Sequence, residues 1–236
     1  MTAMEPPRAI TFDFGQTLVA LDHAALAQRL EDLGVGVDPR VTSQGEADAW
    51  RAYEAAKRAG AQGADGWCAF MAALLLGAGL EGARTQALAR TLFELQRQYN
   101  LWRRPIPGML ELVRELRASG LAVGVLSNSE GKLRELIVEL GLLEDFDTIT
   151  DSGVLGFEKP DPRIFHHTFA QLSVSAAAAL HVGDSWEADV LGARGVGARA
   201  VWFAFSDGRA LPQGVESCFD SGGLRELLRR QGLELR

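Results

Sequence analysis

Lysine is scarce in this chain: Lys57, Lys132 and Lys159 are the only three, beside many arginines. No block of basic residues stands out and the formal net charge is −7, which argues against a nucleic-acid or acidic-membrane surface as the main partner. Cysteine is rarer still. Cys68 and Cys218 lie far apart, match no metal-ligand spacing, and read as the reduced thiols of a cytosolic protein. No apolar run reaches the ~18 residues that a bilayer crossing needs. The opening MTAMEPPRAI lacks the layout of a signal peptide, so a soluble, cytoplasmic protein is expected.

What is present is ordinary in bulk and specific in detail. The 236 residues are 47% hydrophobic and 23% charged, enough for one sizeable domain or a core with a smaller insert. Short β-type runs fall at 9–14 (AITFDF), 121–126 (LAVGVL), more weakly 147–150 (DTIT), then 180–182 and 199–203 (RAVWF). They alternate little between apolar and polar, as strands of a parallel sheet buried on both faces must. Helical periodicity separates them at 108–118, 131–140, 163–172 and 187–194, with a last helix over 224–230. The stretch 20–100 differs, with helices predicted near 24–33, 44–59, 67–76 and 85–99 and no convincing strand. Residues 103–108 (RRPIPG) read as its return linker. The expected architecture is α/β: a doubly wound, Rossmann-like parallel sheet core (1–19 and 101–236) with an inserted α-helical bundle (20–100).

Polar groups end the predicted strands, where a parallel sheet gathers its functional side chains. Asp13 follows the first, Ser127 and Asn128 the second, and Asp184 the fourth, while Lys159 sits in the stiff loop GFEKPDPRIF. Together they supply a carboxylate nucleophile, a hydroxyl, an amide, a cation and a second carboxylate. That set suits a phosphate bound with a hard divalent metal. Asp13 and Asp184 are the oxygen ligands that Mg²⁺ prefers, and the metal would let an anionic Asp13 approach an anionic phosphate. Ser127 and the backbone near Asn128 would hold phosphate oxygens, and Lys159 would neutralise charge during transfer. Asp189 would bind or orient the metal's waters.

The run FDFGQTL resembles the first motif of the haloacid dehalogenase superfamily, a strand ending in Asp-x-Asp-Gly-Thr. Ser127-Asn128 after LAVGVL resembles the second motif, Lys159 in FEKPDPRIF the third, and GDSWEAD at 183–189 the fourth. Four motifs in order are far more specific than any one. The resemblance implies that Asp13 forms an aspartyl-enzyme intermediate and that Asp184 and the carbonyl of Gly15 are metal ligands. Thr17 would bind phosphate or brace the loop, and 20–100 would be a cap domain that sets the choice of a small phosphorylated or phosphonate metabolite.

One position departs from the pattern. Phosphatases of the family carry a second Asp two residues after the nucleophile, as proton donor and water activator; here it is Gly15, followed by Gln16 where Gly is usual. Positioned acid/base catalysis contributes about 10²–10⁴ in rate, so a phosphatase without it should favour good leaving groups, with Gln16 orienting water or serving only as a turn residue. A carbon–phosphorus hydrolase resembling phosphonoacetaldehyde hydrolase would use Lys57 as a Schiff base, against a plainer reading of Lys57 on a solvated helix face. A haloacid dehalogenase proper needs no metal, and Asp184 with Asp189 argues against it. A binding or regulatory protein with little turnover is the remaining class. His166 and His167 read as surface or packing residues and His181 as core. Trp50, Trp67 and Trp102 read as core aromatics or pocket lining, and His23 opens the helical region with no role assigned.

Overall fold

The computed structural model describes residues 5–203 and 211–235, so the first four residues of the N-terminal stretch lie outside it. The chain folds into two compact units, Met1–Ala20 with Pro105–Arg236, and Leu21–Arg104. It begins with β1 (Ala9–Phe12), turns sharply, and runs through β2 (Val19–Leu21) into the second unit. There α1 (His23–Asp32), α2 (Pro39–Gln44), α3 (Glu46–Arg58), α4 (Ala64–Gly77) and α5 (Gly82–Gln96) follow, and β3 (Trp102–Pro105), which pairs with β2, leads back. The first unit continues as α6 (Met109–Ala118), β4 (Ala122–Ser127), α7 (Leu133–Glu139), β5 (Thr148–Asp151), the short α8 (Ser152–Leu155) and α9 (Pro162–Gln171). Next come β6 (Ala179–Gly183), a π-helical turn at Trp186–Leu191, α10 (Gly192–Gly195), β7 (Arg199–Phe203), β8 (Val215–Cys218) and α11 (Ser221–Arg230).

The main sheet has the order β5-β4-β1-β6-β7-β8, and every adjacent pair is parallel. β1 and β6 are buried along their whole length, which is why their sequences read as unbroken apolar runs. From β1 the chain winds outward through β4 to β5, then crosses back to β6 and winds the other way. The switch therefore falls between β1 and β6, the place where open α/β sheets form a crevice beyond their carboxyl ends. One face is packed by Ile164, Phe165 and Phe169 of α9 with Trp186, Val190 and Trp202. Helix starts are set locally. Asp161, followed by Pro162 at the first helical position, accepts the Arg163 N–H, and Asp220 accepts that of Gly223.

In the second unit Trp67 lies edge-on to Phe93 and Trp102, and Phe70 packs against Trp50 and Trp102. Trp102 is buried in the core of that unit, and Trp50 and Trp67 are half-buried against it. His23 is buried there too, with Nδ1 3.0 Å from the Thr42 hydroxyl and Nε2 3.3 Å from Glu46. The helix predicted over 44–59 starts two residues later, at Glu46, because Gly45 separates α2 from α3. The return segment is not a bare linker: its Trp102–Pro105 part is a strand whose sequence, WRRP, hides its pairing behind two arginines. β8 (VESC) went unpredicted for a like reason, since its two central residues are polar and half-buried. No helix among the described residues is long and apolar enough to cross a membrane.

Candidate active site

The site is built where β1, β4 and β6 end side by side. Phe12 is in register with Val125 on one side and Val182 on the other, and the Asp13 N–H donates to the Val182 carbonyl at 2.8 Å. That register puts Asp13 level with the end of β6, one residue short of Asp184. Beyond Asp13 the chain turns tightly: the Leu18 and Val19 N–H groups both donate to the Phe14 carbonyl, and Gln16 N–H donates to Val19 O at 2.6 Å. Gln16 has φ +56°, a left-handed conformation that side chains other than glycine adopt at a cost. Glycine would adopt this conformation without that cost. Thr17 is fully buried, and its hydroxyl has no hydrogen-bond partner among the described residues.

Asp13 is pinned on one oxygen. The Lys159 ammonium donates to its Oδ1 at 2.6 Å and the Ser127 hydroxyl to the same atom at 2.9 Å, while Oδ2 has no hydrogen-bond partner among the described residues. Lys159 is 1% exposed and also donates to the Leu126 carbonyl at 2.9 Å and to Asp189 Oδ1 at 2.6 Å. Asn128 fixes the lysine's backbone: its Nδ2 donates to Lys159 O at 3.0 Å and its Oδ1 accepts the Lys159 N–H at 2.8 Å. The Asn128 side chain thus braces the lysine loop instead of facing a phosphate. Asp189 is spent entirely inward. Its Oδ1 meets Lys159 and His181 Nε2 (2.9 Å), and its Oδ2 accepts the Ser185 N–H at 2.9 Å. The π-helical turn makes this possible by widening the chain just after Asp184. Gly183 makes it possible too, since a Cβ there would collide with the Asp189 carboxylate. Asp184, partly buried, uses its own carbonyl to accept the Trp202 indole N–H at 2.8 Å.

Burial alone would strip the charge from these groups, and their pairing decides the outcome. For Lys159 the burial effect is outweighed by Asp13 and Asp189, which hold its pKa above the ordinary lysine value. For Asp189 burial is likewise outweighed, by Lys159 and the His181 hydrogen bond, leaving it below the usual carboxylate range. Asp13 goes the other way: burial and the Asp189 charge raise it, and Lys159 and Ser127 offset them only in part. Lysine is therefore cationic, Asp189 anionic, and Asp13 the group whose ionisation is least compensated.

Two residues that sequence reasoning left out shape this site. Asp151, at the end of β5 in register with Ser127, accepts N–H groups from Gly131, Leu133 and Gly153 and so holds the loop that follows Ser127. His181 was read as core packing; it is fully buried, but both ring nitrogens are engaged by side chains. Lys57 lies in the second unit on α3, its stem against Gly66 of α4 beside Tyr53. His166 and His167 are exposed on α9. Among the described residues no cluster of three or more His, Cys, Asp or Glu side chains is arranged to hold a metal.

A lysine-pinned aspartate at the switch point of a doubly wound parallel sheet marks an α/β protein with its functional groups gathered at the carboxyl edge. The sequence makes the class particular. A family profile for haloacid dehalogenase-like hydrolases matches residues 7–197, and the chain belongs to that family. It is 31% identical over 201 residues to human haloacid dehalogenase-like hydrolase domain-containing protein 3, covering 80% of this chain and 79% of that one. Phosphoserine phosphatase of Thermus thermophilus is 36% identical over 153 residues, 64% of this chain and 59% of the relative. Among solved structures, a putative hydrolase of the same family from Bacillus subtilis, bound to magnesium, superposes with a TM-score of 0.64 at 24% identity, over 95% of this chain and 100% of that one.

Proposed function

We propose that Asp13 is the nucleophile of a Mg²⁺-dependent phosphohydrolase that acts on small phosphorylated metabolites and favours good leaving groups. The observation that carries this reading is the asymmetry of Asp13: Oδ1 is fixed by Lys159 and Ser127, while Oδ2 has no hydrogen-bond partner among the described residues, at the open end of the strand. The donor set fits a hard cation. Asp13 and Asp189 bring two carboxylates against one ammonium, and Asp13 Oδ2, Asp184 and the Gly15 carbonyl are oxygen donors of the kind Mg²⁺ takes. Bound there, the metal would screen the charge between the carboxylate and the phosphoryl oxygens.

The rest of the chemistry belongs to side chains. The Asp13 carboxylate attacks phosphorus, the bond to the leaving group breaks with its electron pair, and an acyl phosphate forms on Asp13. Lys159, held cationic by its two carboxylates, balances charge on the transferring oxygens, and Ser127 with the backbone near Asn128 holds them. The buried Thr17 hydroxyl, which lacks a partner among the described residues, is available to the same oxygens or to the loop. Asp189 acts as the anchor of Lys159, because both its oxygens are already used by protein donors. Water must then release phosphate from Asp13, and Gly15 offers no carboxylate to protonate an alkoxide or to activate that water. Acyl and aryl phosphates, whose leaving groups need little protonation, are the substrates such a site handles best. The free, buried thiols Cys68 and Cys218 suit a cytoplasmic setting.

Phosphate release from acetyl phosphate, p-nitrophenyl phosphate and a sugar phosphate, with and without Mg²⁺, tests the proposal. Release should need Mg²⁺, vanish in Asp13→Asn, and fall in the order given. Gly15→Asp should raise the sugar-phosphate rate most, by about 10²–10⁴. Release that survives in Asp13→Asn, or a sugar phosphate that is the fastest substrate of the parent, would sink the proposal.

A further inference from the structure

We infer that His181 is a positioning residue for this centre: it clamps Asp189 in the orientation that holds Lys159, and so fixes where the lysine ammonium meets Asp13. The inference rests on reading Asp13 as the nucleophile, but its geometry stands apart from turnover. A circuit of side chains leaves β1 at Thr11 and returns just beyond its end at Asp13. Thr11 Oγ1 lies 2.8 Å from His181 Nδ1, and His181 Nε2 lies 2.9 Å from Asp189 Oδ1. Asp189 Oδ1 receives Lys159 Nζ at 2.6 Å, and Nζ reaches Asp13 Oδ1 at 2.6 Å. Thr11 and His181 are 0% exposed, Asp189 and Lys159 1%, and Asp13 8%, so water does not substitute for any link.

The hydrogen bonds also fix the ring's orientation. An ionised Asp189 only accepts, so Nε2 donates to it, and Nδ1 pairs with the Thr11 hydroxyl. The edge-on Phe165 ring, 5.4 Å away at 88°, leaves the imidazole little room to turn. A histidine kept only for packing would do as well as a leucine at this buried β6 position. Burying an imidazole is tolerated because both nitrogens are satisfied, and the bond to Asp189 leads on to Lys159. Without the Nε2 donor, Asp189 keeps Lys159 and the Ser185 N–H but loses its third restraint, and Lys159 is freer to shift away from Asp13.

Two substitutions separate this role from packing. His181→Gln puts an amide nitrogen near the place of Nε2 and keeps the bond to Asp189. His181→Asn puts one near Nδ1 and keeps only the Thr11 side. With acetyl phosphate, His181→Asn should lower kcat about 10- to 100-fold, the range expected for losing a hydrogen bond to a charged group, with KM nearly unchanged. His181→Gln should stay close to the parent. A second readout needs no turnover. With ¹⁵N-labelled lysine, only three ammonium signals exist, and that of Lys159 should exchange with solvent slowly in the parent and in His181→Gln, but about tenfold faster or more in His181→Asn. Should His181→Asn not fold, Thr11→Val releases the far end of the ring and should change the Lys159 signal the same way. An unchanged Lys159 signal and kcat in His181→Asn, or equal losses in the Asn and Gln variants, would overturn the inference. If the parent releases no phosphate, the proposed function fails, and the Lys159 signal alone decides the positioning role.

Discussion

Two groups of charges sit at opposite ends of the same sheet and illustrate two uses of an ion pair. At the carboxyl ends, Lys159, Asp189 and Asp13 are 2%, 2% and 11% exposed in their side chains. At the amino ends of β4 and β5, Arg117 and Asp147 (40% and 35% exposed) pair at 2.8 Å, and Arg114 grips Asp145 through a two-pronged contact. Asp147 also accepts the Val123 N–H at 2.8 Å, and Arg117 reaches the Glu144 carbonyl at 2.6 Å, so this second group fastens the α6 turn to the β5 entry. Burial would raise Asp147, yet Arg117 and the Val123 N–H hold it below its usual range. Each of the two outer aspartates has an arginine of its own. In the inner group one carboxylate, Asp13, is raised, by burial first and then by Asp189, with which it shares one lysine. Water pays for the outer charges, so they can be traded; the inner ones depend wholly on one another, which fits a site kept for chemistry at a cost in stability.

The largest expected effect comes from removing the inner cation. Lys159→Met keeps the stem but leaves two buried carboxylates facing each other, and should destabilise the protein by about 3–5 kcal/mol while abolishing phosphate release. Urea unfolding at pH 7 measures it; a loss under about 1 kcal/mol would erase the distinction between the two groups. A smaller effect of opposite sign is expected for Asp13→Asn. A carboxyl group whose folded pKa is raised contributes stability below its unfolded pKa, near 4, and loses it as the pH rises through the folded value. The amide is spared that loss. The variant should therefore be more stable than the parent in metal-free buffer at pH 7, by about 0.5–2 kcal/mol, and the advantage should shrink as the pH falls toward 4. An advantage that grows toward acid would contradict the raised pKa of Asp13.

How much of this was legible in the sequence follows the same divide. The parallel sheet could be read because strands buried on both faces must be apolar, as AITF and LAVGVL are; β3 and β8 escaped because their exposed residues carry charge or polarity. Asp13, Ser127 and Lys159 were readable as strand-end and loop groups, and they meet within hydrogen-bond distance. The direction in which Asn128 and Asp189 spend their side chains was not readable. It depends on the loop at Lys159 passing beside β4 and on a π-helical turn that no periodicity announces. His181 escaped for a plainer reason: in a strand of the pattern ALHVG a histidine looks like an apolar substitute, and its two partners lie 170 and 8 residues away. A polar residue of strong hydrogen-bonding capacity in an otherwise apolar central strand was the available signal.

The sharpest control on the comparison is its smallest effect. Arg117→Met applies to the outer group the change that Lys159→Met makes in the inner one. Asp147 would keep the Val123 N–H and gain water, since it is already more than a third exposed, so no buried charge is orphaned. The loss should be about a quarter or less of that for Lys159→Met. It should also shrink as salt rises from 0.05 to 1 M, about a threefold or greater shortening of the screening length, whereas the Lys159 effect should hardly respond. Phosphate release should be unaffected, because α6 and the β5 entry lie at the far end of the strands from Asp13. An Arg117 loss as large as that of Lys159, or one indifferent to salt, would mean that exposure is not what separates the two groups.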